Sequence, residues 1–141
     1  MSSEITRTEN SAPVREFTVL LSPTRRGARL ARLLAAAHLA DWGITSETAA
    51  QIVAELAANA ALHARVPGRD FRLSVTVRDD TCLRIEVTDT LSERLPHPAT
   101  PADEAEVGRG LLIVEALADR WGVDQGPTPR KTVWAECGLL P

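Results

Sequence analysis

Glu55 and Asn59 stand one helical turn apart in the segment QIVAELAANAALHA, among Ile52, Val53, Leu56 and Ala60. At about 100° per residue the four apolar positions form one stripe. Asn59 and His63 fall inside or beside it, and Glu55 lies at its edge. Burying such groups unpaired costs about 1–3 kcal/mol each, so a core-facing helix has reason to avoid them. Two readings are open. Asn59 caps a loop and Glu55 is a solvated flank, or the pair serves a ligand that supplies the missing partners.

The segment CLRIEVTD (82–89) carries an independent anomaly. Leu83, Ile85 and Val87 share one face by the strand period of two, and Asp89 continues it. A carboxylate is thereby delivered at the inward end of an apolar row. A strand-ending Asp that opens a turn is the plainer explanation; the inward parity favours a ligand acceptor. Further on, Gly108-Arg109-Gly110 follows an irregular stretch and opens a helix. Glycines let backbone N–H groups approach a ligand, and a helix N-terminus suits phosphate. A single GxG is a weak signal, and neither a Walker A sequence nor a strand–GxGxxG–helix unit occurs. His38, His63 and His97 show no metal-ligand spacing, so no structural zinc is expected. Trp42, Trp121 and Trp134 are expected to pack in the core or at an interface.

These residues need elements to hold them. Residues 1–13 read as a disordered tail and 14–137 as one domain. VREFTVLL alternates as a half-buried strand, and Ser22-Pro23 then supplies an N-cap and a first-turn proline. Helices are predicted over about 24–40, stopping near Trp42-Gly43, and over about 46–64, opening at Ser46. FRLSVTV (71–77) and CLRIEVTD form a hairpin through Arg78-Asp79-Asp80-Thr81. The Pro-rich, then acidic stretch of about 90–107 reads as a mobile lid. A third helix follows over about 109–121, then a turn at Gly126-Pro127-Thr128-Pro129 and a last strand, KTVWAE (131–136). The partial segregation of strands and helices favours an α+β, two-layer sandwich, with helices on one face of a mixed, mainly antiparallel sheet.

Composition narrows the class. The chain has 141 residues, 44% hydrophobic and 25% charged, which suits one globular domain and excludes collagenous or wholly disordered chains. A net charge of -3 and a pI near 5.6 argue against a general nucleic-acid surface. No apolar stretch nears the roughly 20 residues of a membrane span. The start, MSSEITRTEN, lacks the apolar core of a signal peptide, and Cys82 and Cys137 form no CxxC pair. A cytoplasmic location is therefore expected.

Taken in order, ELAANAALHA (55–64), VTD (87–89), GRGLLIVEALADRWGV (108–123) and KTVWAE (131–136) resemble the GHKL superfamily of gyrase, heat-shock chaperones and histidine kinases. The likeness is greatest to its small stand-alone members, the anti-sigma-factor serine/threonine kinases and related ATP-binding regulators, and it spans residues 14–137. It implies a Bergerat-type ATP-binding fold using ATP and Mg²⁺. By that resemblance Asn59 would hold Mg²⁺, and Glu55 would act as general base towards a serine hydroxyl. Asp89 would accept from the adenine amino group, with Thr132 supporting the same end. Gly108, Arg109, Gly110 and Leu111 would close over the phosphates. The implied partners are a sigma factor or its small antagonist protein, with homodimers possible. The glycine box after the aspartate, of form DxGxG, reads Asp89-Thr90-Leu91-Ser92-Glu93 here, without either glycine. A catalytically inactive ATP-binding or partner-binding module of the same fold is thus the alternative. Residues 1–45 are too short for the phosphoacceptor hairpin of a histidine kinase, so His38 reads as a helix residue. A chain of this size is expected to leave sensor and DNA-binding roles to other proteins.

Overall fold

A computed structural model describes residues 15–63, 70–89, 111–125 and 130–139. The expected tail, the lid of about 90–107, Gly108, Arg109, Gly110 and the turn at 126–129 lie outside them. β1 (Glu16–Leu21) turns Phe17, Val19 and Leu21 inward and exposes Glu16, Thr18 and Leu20, as the alternation predicts. α1 (Arg25–Asp41) buries Ala31, Ala35 and Leu39 at four-residue spacing. Its N-cap is Thr24, whose hydroxyl accepts the Gly27 N–H at 3.0 Å. The expected cap, Ser22, instead braces Thr24: its carbonyl accepts the Thr24 N–H and the two hydroxyls bond, each at 2.8 Å. Trp42 closes the helix, and Gly43 takes the left-handed φ of 77° that releases the chain.

α2 (Glu47–His63) opens as expected, with the Ser46 hydroxyl accepting the Ala49 N–H at 3.0 Å. β2 (Phe71–Arg78) and β3 (Cys82–Asp89) form the predicted hairpin. Its turn places both Asp79 (φ 54°) and Asp80 (φ 59°) in the left-handed region, which Asp tolerates better than most residues. The third helix, α3, covers residues 111–117 and then gives way to β4 (Arg120–Gln125) and β5 (Lys131–Gly138).

β4 corrects the expected helix of about 109–121. RWGVDQ buries no residue fully and so lacks a clear apolar alternation. Pairing with β5 along its whole length is what makes it a strand. The sheet order is β1-β2-β3-β5-β4, and every neighbouring pair is antiparallel, so the expected mixture of directions is absent among the described strands. The helices cover one face, α1 against β1 and α2 against β2, β3 and β5, giving the expected α+β two-layer arrangement. Between the layers lie Phe71, Leu73, Val75, Leu83, Ile85, Ile52, Val53 and Leu56, joined by Val114 from α3.

Candidate functional site

The inner sheet face is apolar until its end. Along β3 the buried row Leu83, Ile85, Val87 terminates in Asp89, which is 3% exposed. Its counterpart on β5 runs Cys137, Ala135, Val133 and ends at Lys131, the residue directly opposite Asp89. α2 packs over these strands, and the chain re-enters the sheet at Phe71, beside the Thr88 and Asp89 end of β3. Asn59, in the last turns of α2, and Asp89, at the end of β3, are both buried on the helix-covered side of the sheet.

On that part of α2, Asn59 is 8% exposed, and its Oδ1 is buried without a hydrogen-bond partner. Ile52, Leu56 and Ala60 on the same stripe are buried, so the helix does spend a core-edge position on a carboxamide. One turn earlier Glu55 is half-buried, with Oε2 accepting from Gln51 Nε2 at 2.6 Å. Glu55 and Asn59 thus share a flank, the first reachable from water and the second shielded from it. Among the described residues no group of three or more His, Cys, Asp or Glu could hold a metal. A cation at Asn59 would draw most of its oxygen ligands from a bound phosphate and water, the usual habit of Mg²⁺.

Leu111, the first described residue of α3, is half-buried and packs against the core. Gly108, Arg109 and Gly110, just before it, and the side chain of His63 lie outside the described residues. Thr132 does not join the group. It is on the other sheet face, where its hydroxyl meets that of Thr88 at 2.8 Å. Lys131 occupies the inward position instead. The signal was in the strand itself: Val133 and Ala135 are its apolar residues, and their parity turns residue 131 inward.

The outer face has different electrostatics. Glu136 is 4% exposed although no helix among the described residues covers it. Arg84 Nη1 donates to its Oε2 at 2.8 Å, and Arg120 Nη2 donates to its Oε1. Arg84 Nε also reaches Glu86 at 2.7 Å, and its guanidinium lies 4.4 Å from the Trp134 ring centre. The Arg84 hydrogen bond, joined by Arg120, outweighs burial and holds the Glu136 carboxyl below its ordinary range. Gly122 makes room for Trp134: a β-carbon there would stand 2.9 Å from the indole. Both cysteines are free, and burial pushes the Cys137 thiol up to about 11, which leaves it protonated and unreactive at neutral pH.

Helices packed on one face of a five-stranded antiparallel sheet define a two-layer α+β domain, with Asn59 and Asp89 buried on the helix-covered side. Residues 21–136 match the histidine kinase-like ATPase domain, and the chain belongs to that family. Among solved structures it is similar to the RsbU and RsbW domains of Rv1364c from Mycobacterium tuberculosis, with a TM-score of 0.64 and 21% sequence identity. That similarity takes in 88% of this chain but 32% of the other, and at this identity it shows the shared fold. No match is found among curated proteins. Among the described residues no helix is long and apolar enough to cross a membrane.

Proposed function

We propose that this protein binds ATP with Mg²⁺ at a site that includes Asn59 and Asp89, and transfers the terminal phosphoryl group to a serine or threonine of a partner protein. The observation that carries the reading is the buried, unpartnered Oδ1 of Asn59, one turn from a half-buried carboxylate. An acceptor-only atom withdrawn from water fits a cation, which needs oxygen ligands and brings its own charge. When bound, Mg²⁺ would offset charge on the phosphates and help align them. Asn59 would contribute one ligand. Asp89 would accept a hydrogen bond from the amino group of adenine. Glu55 would take the proton of the attacking hydroxyl as its oxygen bonds to the γ-phosphorus and the bond to the departing ADP breaks. Gly108, Arg109 and Gly110, with Leu111 behind them, would close over the phosphates, and Thr132 would serve only through the strand it stabilises.

Membership of the histidine kinase-like ATPase domain family supports the nucleotide. The anti-sigma-type resemblance of the motifs supports a cytoplasmic regulator that alternates between a sigma factor and a small antagonist, the latter carrying the accepting hydroxyl. One observation favours a second reading, an ATP-binding module without transfer: Gln51 already engages the Glu55 carboxylate. Calorimetric titration of ATP, with and without Mg²⁺, on wild type, Asn59→Ala and Asp89→Asn tests the site. Both variants should lose affinity, Asn59→Ala mainly in the Mg²⁺-dependent part. Binding unchanged by both sinks the nucleotide site. With a serine-bearing antagonist, equal phosphorylation by wild type and Glu55→Gln removes Glu55 as base and favours the second reading.

A further inference from the structure

The position opposite Asp89 is filled by the only lysine of the chain. In an antiparallel pair, residues directly across from one another on the same face hold their β-carbons about 4.5–5.5 Å apart. Asp89 and Lys131 are such a pair, at the inward end of the Val87–Val133 and Ile85–Ala135 rows. Lys131 is half-buried and enters none of the ion pairs among the described residues, which gather instead on the outer face and at the Arg15–Asp80 contact. An ammonium partly withdrawn from water is stabilised by an acceptor. The hydroxyl next to it in sequence does not compete for that role, because Thr132 faces away and bonds Thr88.

We infer that Lys131 reads the base: its ammonium donates to the ring N1 of adenine, beside the Asp89 carboxylate that accepts from the exocyclic amino group. This rests on the ATP reading of the site and deepens it. A carboxylate and an ammonium side by side form an acceptor–donor pair. The matching ligand edge carries a donor and an acceptor on neighbouring atoms, which the amino group and N1 of adenine supply. Guanine presents the pair in reverse order, a carbonyl oxygen and then an N1–H, so it would set acceptor against acceptor at Asp89. Lys131 is in this sense a specificity-determining residue on the strand, placed by parity rather than by the neighbouring threonine.

The test is a titration of ATP and of 1-deaza-ATP, in which a C–H replaces N1, into wild type, Lys131→Met and Thr132→Val. A hydrogen bond to a charged group sets the expected scale, so wild type should favour ATP about tenfold or more. Lys131→Met should bind the two nucleotides alike, with the loss falling on ATP alone. Thr132→Val should keep the wild-type preference. Equal weakening of both nucleotides in Lys131→Met would place the ammonium on the phosphates or ribose and overturn the inference. So would a wild type that does not distinguish them, or a preference erased by Thr132→Val. Wild type that binds neither nucleotide removes the ATP reading itself, and with it the inference; the other outcomes leave ATP binding standing.

Discussion

The two faces of the sheet handle buried polar groups in opposite ways. On the outer face Glu136 is withdrawn from water with no described helix above it, yet Arg84 and Arg120 occupy both of its oxygens. Arg84 is in turn held by Glu86 and by the Trp134 ring. On the helix-covered side, Asn59 is buried to a similar degree and its oxygen has no partner. A buried polar group costs stability unless something satisfies it. Where the protein supplies the partner, as at Glu136, the network holds strands together. At Asn59 the fold bears an unsatisfied acceptor, the feature on which the proposed cation site rests.

If that contrast is sound, changes on the two sides should separate into losses of function and losses of stability. The largest effect is expected at Glu55. Removing a positioned base lowers rate by about 10²–10⁴, so Glu55→Gln should cut phosphoryl transfer to an antagonist by that factor. ATP affinity by calorimetry and the thermal midpoint should stay close to wild type. A matching fall in the thermal midpoint would recast Glu55, with Gln51, as part of the helix surface.

Next in size is a crossed pair of substitutions. Glu136→Ala leaves Arg84 and Arg120 without their shared carboxylate, and breaking a buried ion pair costs about 3 kcal/mol. Denaturant unfolding should show that loss, with ATP binding retained. Asn59→Leu should do the reverse, abolishing Mg²⁺-dependent binding while stability holds or rises by about 1 kcal/mol, since an unsatisfied acceptor is removed. A stability loss at Asn59 as large as that at Glu136 would erase the distinction between the faces.

Acid sharpens the same comparison. The Glu136 carboxyl is held below its ordinary value of 4.5, chiefly by the Arg84 hydrogen bond. A carboxyl whose pKa is depressed on folding contributes its full stabilisation above the unfolded value and loses it as pH falls through the folded one. The stability advantage of wild type over Glu136→Gln should therefore be complete at neutral pH and shrink below about 4.5. Urea unfolding of both proteins at neutral and acid pH measures it. An advantage that persists in strong acid would show that packing around Trp134 and Gly122, rather than charge, holds this face.

Periodicity made most of the fold legible. The alternation in FRLSVTV and CLRIEVTD, and the Ser46 cap before an Ala-rich stripe, each specify a local structure that packing then reinforces. β4 was not legible, because RWGVDQ is an edge strand with little burial, and its conformation is set by hydrogen bonding to a distant partner. Asn59 and Asp89 were legible as polar residues on apolar faces. Thr132 is a different case: the two-residue period of Val133 and Ala135 turns its hydroxyl outward to Thr88 and Lys131 inward. The Arg84–Glu136–Arg120 network depends on register between three strands, which no local pattern encodes.

The smallest expected effect lies at the sheet end away from Asp89, where neither face is involved. Asp79 and Asp80 both hold positive φ, and Asp80 pairs with Arg15 while Asp79 lies beside it as a second carboxylate. Asn adopts the left-handed conformation at least as readily and is favoured in such hairpin turns. Asp79→Asn also removes a like charge next to Asp80 without touching the Arg15 pair. It should raise stability by about 0.5 kcal/mol and leave ATP affinity, transfer and the response of Glu136 to acid unchanged. Because this turn joins β2 to β3, a gain here tightens the strand that carries Asp89. Altered ATP binding in Asp79→Asn would therefore show that the site senses the rigidity of β3 along its length, and the separation of binding from stability would fail at its mildest test.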